Sequence, residues 1–379
     1  MHKISIDPVW TIQWPDGKAL PARLLQLLVE VHEHGSLAAA CQRSGASYRH
    51  AWDLVRQGET LFGMPLLEME RGRGSRLTPL AEKLVWADHR VAARLAPVLQ
   101  TLASELETEI QRIVVKQPSM VRLHASHGFA IGKLFDMLAE QHAAVERKYV
   151  GSQEAVKALH DGACEVAGFH VPLGEFEAAG YAHYAPWLDA KGHRIIDVAT
   201  RRQGLIVAKG NPRKLYDVQD LARPGVRFVN RQVGSGTRFL LDCLLQRSGI
   251  DPARINGYEQ AEYTHAAVAA YVASGMADVG FGVEPPARQF RIDFLPVASE
   301  RYFLLCSEAS LALPEVKAMI EILRSGAFRA SVDKLSGYAA TDSGRVQTLQ
   351  QAFPKFAKRK RAEAGSGDGL QVRAAKKRR

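Results

Sequence analysis

Residues 35–55 read GSLAAACQRSGASYRHAWDLV, and residues 66–78 read LLEMERGRGSRLT. The first stretch contains a helix of small residues, a glycine at Gly45 that supplies a tight turn, and the start of another helix that can cross the first closely. The second stretch begins and ends like a strand and has a Gly-rich basic tip. Together they predict a winged helix-turn-helix, a fold that binds duplex DNA.

The preceding stretch, PARLLQLLVEVHEHG at 21–35, has leucines at helical spacing and ends at Gly35, so it predicts the first helix. Ser36 is expected to cap the second helix and Ser47 to begin the third. The third helix is expected to bury Ala51, Trp52, Leu54 and Val55. The candidate DNA contacts from the helices are Ser36, Ser47, Tyr48, Arg49, His50 and Arg56, with Asp53 on the same exposed face.

The wing adds Arg71, Arg73 and Arg76 as candidates for phosphate or minor-groove contact. Any one of these arginines could equally be a solvated surface charge. Their combination with a capped third helix favours the DNA-binding interpretation.

Residues 20–85 resemble the DNA-binding domain of ModE-type molybdate-responsive repressors and, more distantly, that of LysR-type regulators. The matching features are Gly35-Ser36, the small-residue second helix, Ser47-Tyr48-Arg49 running into Ala51-Trp52-Asp53, and the Gly-rich wing. The resemblance implies that the third helix reads an operator and that the protein is a dimer. Beyond this segment the chain departs from the ModE pattern, because no pair of small molybdate-binding barrels is recognisable.

The length of 379 residues and the hydrophobic content of 46% agree with a regulator of two or three domains. The chain has isolated cysteines at 41, 164, 243 and 306. These cysteines are expected to pack as small buried side chains rather than to bind metal or form disulfides. The chain shows neither a signal peptide nor a run of about 20 apolar residues that could cross a membrane, so we expect a cytoplasmic protein without membrane contact.

The net charge of +10 is concentrated at the end of the chain, where residues 355–379 hold ten Lys or Arg and two acidic residues. This tail has almost no apolar content and is expected to be disordered. It could attract DNA without sequence preference, or it could be a solubilising tail with no specific role. A nuclear-import signal fits poorly with a bacterial-type regulator.

Residues 79–115 predict one long helix with an apolar stripe. Its members are Leu80, Leu84, Val91, Leu95, Leu99, Leu102, Leu106 and Ile113. A helix of this length cannot be covered by a winged helix alone. We therefore expect dimerisation through it, giving a homodimer or a dimer of dimers on a pseudo-palindromic operator.

From Pro118 onward, short strands alternate with helices, which predicts an α/β region. The expected organisation is a winged helix-turn-helix at 1–78, a linker and dimerisation helix at 79–117, a two-lobed α/β effector domain at 118–350, and a basic tail at 351–379. The fold class is therefore multidomain α+β.

Four predicted helix starts in this region present hydroxyls and free backbone N–H groups, which suit an anion. The candidate effector contacts are Ser126, His127, Ser152, Arg231, Ser235, Gly236, Thr237, Arg238, Tyr263 and Thr264. Each Ser or Thr could instead be an ordinary helix cap. The GSGTR loop at 234–238 exceeds what capping requires, and it lacks the lysine of a nucleotide-binding loop.

Residues 120–330 resemble the periplasmic-binding-protein-like domain of cytoplasmic regulators and of some molybdopterin-biosynthesis proteins. The resemblance rests on Val150-Gly151-Ser152, CEVAGFH at 164–170, VNRQVGSGT at 229–237 and ASGMADVGFG at 273–282. It implies two lobes joined by crossing segments near 199–208 and 283–302, which would close over a ligand by a hinge motion.

We therefore expect a one-component transcriptional regulator with no catalytic cofactor and no metal site. The residues indicate only that the effector is an anion, and the resemblance implies molybdate, tungstate or the molybdenum cofactor. Arg231, Arg238 and His127 would suit a carboxylate or a phosphate-bearing ligand such as that cofactor. Arg231 could instead pair with an acidic residue of its own domain. Target genes would belong to molybdenum metabolism or a molybdoenzyme operon such as formate dehydrogenase. Activation and repression both remain open.

The main alternative is a cytoplasmic storage or binding protein for an anion or the molybdenum cofactor, whose winged helix contacts proteins. An enzyme is disfavoured because no GxSxG, HExxH or paired-carboxylate motif accompanies GSGTR.

Overall fold

The computed structural model describes residues 3–70, 74–114 and 120–354. Within these residues the helices are α1 Ala22–His34, α2 Leu37–Ser44, α3 Tyr48–Phe62, α4 Pro79–Val114, α5 Phe129–Glu140, α6 Ser152–His160, α7 Glu177–Tyr184, α8 Gly236–Arg247, α9 His265–Ala273, α10 Glu284–Gln289, α11 Pro314–Arg324, α12 Gly326–Asp333 and α13 Leu349–Ala352. The strands are β1 Leu67–Glu70, β2 Gly74–Leu77, β3 Val121–Ala125, β4 Val145–Tyr149, β5 Val166–Pro172, β6 His193–Val207, β7 Phe228–Arg231, β8 Ala261–Glu262, β9 Val279–Val283, β10 Asp293–Ser307, β11 Tyr338–Ala339 and β12 Val346–Thr348.

The winged helix-turn-helix is present as predicted. Gly35 and Gly45 end α1 and α2 in the left-handed conformation, at φ of 83° and 69°, which glycine adopts without strain. Strands β1 and β2 pair antiparallel to form the wing. Buried leucines of α1, such as Leu24 and Leu28, form the core with Val55 of α3 and Leu84 of α4.

The C-terminal region is a two-lobed α/β structure, as predicted. Its sheet runs β4-β3-β5-β10-β6-β9-β7-β8. The first lobe contains β3, β4 and β5, and the second contains β7, β8 and β9. In each lobe, separate apolar clusters cover the two faces of the sheet.

Strands β6 and β10 connect the lobes. Each has 15 residues, and they pair antiparallel along their whole length. One half of β10 pairs with β5 of the first lobe, and the opposite half of β6 pairs with β9 of the second. The predicted crossing segments lie partly within these strands, although 283–302 also includes α10.

Helix α4 packs on the helix-turn-helix and on both lobes of its own chain. Its N-terminal half reaches the second lobe, where Lys83 Nζ donates to the Ser274 carbonyl. Its C-terminal half reaches the first lobe, where the backbone N–H of Tyr149 donates to Thr101 Oγ1 at 3.1 Å and that of Arg147 to Ser104 Oγ at 3.0 Å. The predicted stripe therefore has partners within its own chain for part of its length.

An aromatic cluster joins the helix-turn-helix to the second lobe. The ring of Trp86 on α4 lies 5.2 Å from that of His32 on α1 and 5.4 Å from that of Phe290. Cys41, Cys164 and Cys306 are buried as predicted, whereas Cys243 is only partly buried. Within the described ranges, no helix is both long and apolar enough to cross a membrane.

Candidate functional site

The exposed face of α3 carries the predicted DNA contacts of that helix. Tyr48, Arg49, His50 and Arg56 are exposed, whereas Ala51 and Val55 are buried on the opposite face. Ser47 caps the helix, because its Oγ accepts from the His50 backbone N–H at 3.5 Å. The amphipathic pattern thus places the polar residues on one surface.

The wing lies beside the start of α2. Ser36 caps α2 by accepting from Ala39 N at 3.2 Å, and the Leu37 backbone N–H donates to Ser75 Oγ on β2 at 2.8 Å. Arg76 is exposed on β2 and faces Glu68 at 3.8 Å. The predicted contacts Arg71 and Arg73, like the basic tail, lie outside the described residues.

A cleft of about 600 Å³ lies between the two lobes and α4. Four of the predicted effector residues line it: Ser126 and His127 from the first lobe, and Arg231 and Tyr263 from the second. The uncapped N-terminus of α6 also opens here, since Gly151 makes no side-chain cap. The positive charge of Arg231 and the backbone N–H groups at the start of α6 therefore both face the cleft, and such an arrangement suits an anion.

Arg231 is the deepest cation of this cleft. It is 3% exposed; its Nη2 donates to the Tyr263 carbonyl at 3.0 Å and its Nε to Gln232 Oε1 at 3.1 Å. Its Nη1 has no hydrogen-bond partner among the described residues. Burial, followed by repulsion from Arg201, lowers its pKa to about 9. The group remains charged at neutral pH and gains from an anion.

The two lobes approach each other closely around this cleft. A Cβ on Gly151 would lie 2.9 Å from the carbonyl oxygen of Gly234, and one on Gly236 would lie 3.4 Å from the Cβ of His170. Gly151 and His170 belong to the first lobe, whereas Gly234 and Gly236 belong to the second. Glycine at these positions permits the contact between lobes.

Ser152 is buried behind the cleft rather than in its lining. Its Oγ lies 3.2 Å from His170 Nδ1, and Ser126 Oγ lies 3.5 Å from the same nitrogen. His170 stacks on the Tyr302 ring at 4.2 Å. His170 Nε2 has no partner among the described residues, so both hydroxyls position a buried ring with one free nitrogen.

The GSGTR loop uses its side chains mainly within the protein. Ser235 Oγ accepts from Arg238 N at 3.1 Å as the cap of α8, and Thr237 Oγ1 accepts from Gln203 Nε2 at 3.0 Å. The Arg238 guanidinium pairs with Glu259 at 3.2 Å and lies over the Tyr258 ring. Effector contact by Ser235, Gly236, Thr237 and Arg238 remains a prediction.

Thr264 connects α9 to α4. Its Oγ1 accepts from Ala267 N at 2.9 Å as the cap of α9 and donates to the Ala93 carbonyl at 2.9 Å. Pro97, four residues after Ala93, has no N–H, so the Ala93 carbonyl lacks its usual helical donor. Thr264 supplies that donor, and its hydroxyl is thereby committed to both helices.

A buried polar network at the lobe crossing escaped sequence reasoning. Arg201 Nε and Gln203 Nε2, both from β6, donate to Glu300 Oε1 of β10 at 2.6 and 2.8 Å, and Arg201 Nη1 donates to Tyr338 OH at 3.4 Å. The available signal was a cluster of polar and charged residues inside two otherwise apolar stretches, at 201–203 and 300–301. The network ties the two crossing strands together by buried polar contacts.

The histidines of this region are held neutral. Burial, followed by the charge of Arg231, lowers the pKa of His127 to about 4. Burial and the charges of Arg201 and Arg231 hold the pKa values of His170 and His265 well below the ordinary range. The cationic groups that act on these histidines are therefore the arginines Arg201 and Arg231.

Two family models match the chain. Residues 22–82 match the bacterial regulatory helix-turn-helix protein of the lysR family, and residues 136–324 match the PBP superfamily domain. The segment 22–82 contains α3 and the wing. The segment 136–324 contains Arg231 and the crossing strand β6.

Four curated relatives are similar over different parts of the chain. The Bacillus subtilis uncharacterized protein YvgK is 34% identical over 204 residues, 53% of this chain and 64% of YvgK. An uncharacterized protein in the ferredoxin 2Fe-2S gene 5′ region of Clostridium pasteurianum is 36% identical over 110 residues, 29% of this chain and 97% of that protein. The chain thus spans less than two thirds of YvgK.

Two further relatives have descriptive names. The molybdenum-pterin-binding protein MopB of Rhodobacter capsulatus is 27% identical over 147 residues, 38% of this chain and 53% of MopB. The HTH-type transcriptional regulator CfxR of Cupriavidus necator is 26% identical over 240 residues, 63% of this chain and 69% of CfxR.

Among solved structures, a mutant OxyR of Corynebacterium glutamicum with bound hydrogen peroxide is 14% identical, with a TM-score of 0.42 over 83% of this chain and 94% of the OxyR chain. This likeness is remote. The chain belongs to the same family as the Clostridium pasteurianum protein, and it joins a segment that matches the lysR-family helix-turn-helix model to a segment that matches the PBP superfamily domain.

Proposed function

We propose that the protein is a one-component transcriptional regulator that binds operator DNA through α3 and the wing and is controlled by an anionic effector in the interlobe cleft. The observation that carries the effector part is Arg231, a buried arginine that lines the cleft with one nitrogen unpartnered among the described residues. The DNA part rests on the exposed polar face of α3.

The anion proposed is molybdate, tungstate or the molybdenum cofactor, and the target genes are those of molybdenum metabolism or a molybdoenzyme operon such as formate dehydrogenase. The similarity to MopB, named as a molybdenum-pterin-binding protein, supports the choice of metal. Arg231 and the α6 N-terminus offer the donors that oxyanions and phosphates accept from.

Control would operate through the hinge at β6 and β10. Effector binding would favour closed lobes, and α4 would pass the change to the helix-turn-helix, because it contacts both lobes and the DNA-binding core. Coupling energies of this kind are about 1 to 3 kcal/mol, which corresponds to about a 5- to 150-fold change in affinity.

The protein is proposed to act as a homodimer or a dimer of dimers. Six apolar side chains of α4 at helical spacing are between 38% and 79% exposed in the single chain; they are Leu95, Val98, Leu102, Leu106, Ile110 and Ile113. An exposed stripe of this kind is typical of a helix that pairs with a second copy.

DNA footprinting of the gene's own upstream region tests the DNA-binding part. We expect a protected site with two half-sites that persists at salt concentrations where non-specific binding is lost. Salt-labile binding without a footprint would instead favour the storage-protein alternative.

Thermal unfolding with molybdate, tungstate, sulfate, phosphate, formate and molybdenum cofactor tests the effector. A ligand at about 100 times its Kd adds roughly 2.7 kcal/mol to the free energy of unfolding, a readily measured shift. Stabilisation by molybdate or tungstate but not sulfate would support the oxyanion sensor. No shift with any member would remove molybdenum from the proposal.

A further inference from the structure

A separate cavity lies beneath the N-terminal segment of the chain, and we call it the arm cavity. Its volume is about 500 Å³, within the range of roughly 300 to 1,000 Å³ for sites that bind small organic molecules. It is enclosed by residues 3–8, the middle of α4, and the first lobe at α5 and β4. No described residue of the second lobe lines it, although His127 and Tyr149 border both this cavity and the interlobe cleft.

The roof of the arm cavity belongs to an extended segment, residues 3–14, which we call the N-terminal arm. Its side chains that line the cavity and are half-buried are apolar: Ile4, Ile6 and Pro8. The Ile4 backbone N–H donates to Glu107 Oε1 at 2.7 Å, and Trp10 Nε1 donates to Asp88 Oδ1 at 2.9 Å. Asp88 and Glu107 lie on either side of the α4 residues that line the cavity. The arm is therefore tied to α4 at both ends of the roof.

Small residues in the walls leave the space open. The wall positions with only a methyl group or no side chain are Ala92, Ala96, Ala103, Gly128 and Gly132. A Cβ added at Gly132, in the first turns of α5, would meet no atom within 4 Å. Aromatic rings form the rest of the first-lobe wall, from Phe129, Phe135 and Tyr149. Such a lining suits a compact apolar body.

Arg147 brings a cation to this apolar space. Its guanidinium carbon lies 5.9 Å from the centroid of the Phe135 ring. Its Nε is buried and has no hydrogen-bond partner among the described residues. A carboxylate in the cavity would supply that partner through a charge-assisted hydrogen bond.

The charge of the whole lining also favours an anion with a single charge. The lining contains three cations and two carboxylates; they are Lys3, Lys133, Arg147, Asp7 and Asp136. Lys3 Nζ lies 4.0 Å from Asp136 Oδ1, and both side chains are more than half exposed. One positive charge is therefore left over in the lining, and Arg147 is the cation whose unpartnered nitrogen is buried.

We infer that the arm cavity is a second binding site, which takes a compact aromatic or alicyclic molecule carrying one carboxylate. The carboxylate accepts from Arg147, and the apolar body lies between the N-terminal arm and the rings of the first lobe. Trp10 and Trp14 of the same arm pack on the core of the helix-turn-helix. A ligand here therefore contacts the DNA-binding domain and the first lobe without using the interlobe cleft.

Isothermal titration calorimetry on the full chain tests the inference with 1-naphthoate as the probe. Acetate has the carboxylate without the rings, and 1-naphthalenemethanol has the rings without the charge. We expect 1-naphthoate to bind at least about ten-fold more tightly than either compound, because it alone fills the apolar space and pairs with Arg147. Absence of 1-naphthoate binding, or equal binding of the neutral alcohol, overturns the inference.

A variant that fills the cavity locates the ligand. Gly132→Leu places a side chain in the open space and should weaken 1-naphthoate binding about ten-fold or more, while the fold is kept because leucine favours a helix more than glycine does. Gly326→Leu is the matched control. Gly326 is a helical glycine whose added Cβ also meets no atom within 4 Å, and it lies outside the cavity lining. Equal affinity in Gly132→Leu and the original chain overturns the assigned location.

A variant of the cation tests the anionic part without filling the cavity. Arg147→Met keeps an unbranched apolar side chain and removes the charge. It should abolish the advantage of 1-naphthoate over 1-naphthalenemethanol while leaving the affinity for the alcohol within about two-fold. A preserved advantage in Arg147→Met would overturn the role of Arg147.

One further variant separates this site from the proposed effector cleft. Arg231→Met should leave 1-naphthoate binding within about two-fold, because Arg231 does not line the arm cavity. Loss of 1-naphthoate binding in Arg231→Met together with its retention in Gly132→Leu would place the probe in the cleft and overturn the inference. If no anion stabilises the protein through Arg231 while Gly132→Leu still blocks 1-naphthoate, the proposed effector fails and the arm cavity stands.

Discussion

Arg49 lies at the second position of α3, exposed on the face opposite the buried Ala51 and Val55. Arg49→Ala should weaken operator binding by about 1 to 3 kcal/mol, the range for losing one arginine contact to a base edge. Fluorescence anisotropy with labelled operator DNA measures the effect. Arg254→Ala, an exposed arginine of the second lobe, is the matched control and should bind normally. Equal loss in both variants would contradict a reading role for α3.

Arg231 carries a buried charge that gains from an anion and costs free energy without one. Arg231→Met should abolish stabilisation by any anion that binds the cleft, while the unliganded variant should be at least as stable as the original chain, because the desolvated charge next to Arg201 is gone. Urea unfolding with and without ligand measures both effects. If anions still stabilised the variant, the anion would bind without Arg231 and the proposed site would be wrong.

The buried histidines make stability dependent on pH. Burial first, with nearby cations second, lowers the pKa values of His124 and His127 to about 4, whereas an unfolded histidine titrates near 6.5. Between these values the unfolded chain binds more protons, so the free energy of unfolding should be fully present above about pH 6.5 and should fall as pH falls towards 4.

Urea unfolding across this range provides the measurement. His124→Asn should make the slope shallower by up to one proton, about 1.4 kcal/mol per pH unit, and His50→Asn on the exposed face of α3 serves as its control. A stability that is flat from pH 6.5 to 4 would contradict the neutral, buried state of these rings.

At the scale of elements, one hydroxyl both caps α9 and links it to α4. Thr264→Val removes both the cap of α9 and the donor to the Ala93 carbonyl, and should lower the free energy of unfolding by about 1 to 3 kcal/mol. Thr264→Ser keeps both hydrogen bonds and should lose much less. Chemical denaturation of the two variants measures the difference, and equal losses would mean that the methyl group matters rather than the hydroxyl.

The elements that sequence predicted well are those whose pattern is local. Helix α3 is amphipathic and capped by Ser47, and α4 begins at its predicted start, Pro79. Strands β6 and β10 were predicted only in part, as crossing segments near 199–208 and 283–302, because polar residues, including Arg201 and Glu300, interrupt their apolar runs. Those residues pair with each other across the sheet, a contact between positions 99 apart that no local pattern reveals.

The same limit applied to the candidate site. Sequence placed Ser126, His127, Arg231 and Tyr263 in one set, and the structure brings them to one cleft. The sequence alone could not show that the hydroxyls of Ser235 and Thr264 cap helices. A capping residue and a ligand-binding residue look alike before the fold is known.

At the scale of the whole molecule, the exposed stripe of α4 predicts how two copies meet. The double substitution Leu102→Glu and Leu106→Glu should prevent the proposed dimer by placing carboxylates at the contact, while the single-chain fold changes little because both side chains are exposed there. Sedimentation velocity measures the mass of each species, and Tyr216→Glu, away from the stripe, should remain dimeric. A monomeric original chain, or a dimeric double variant, would contradict pairing through α4.

Helix α4 also determines which fragments of this protein can be expressed with an intact effector domain. A fragment beginning at residue 120 would lose Arg90 and Arg94, leaving Glu262, which is fully buried in the whole chain, without the cations that face it. The same cut would strip one wall from the cleft and expose the backbone of Arg147 and Tyr149, which donates to α4. An effector domain expressed alone should therefore carry α4 with it, and ligand affinities measured on a fragment without that helix would describe a different site.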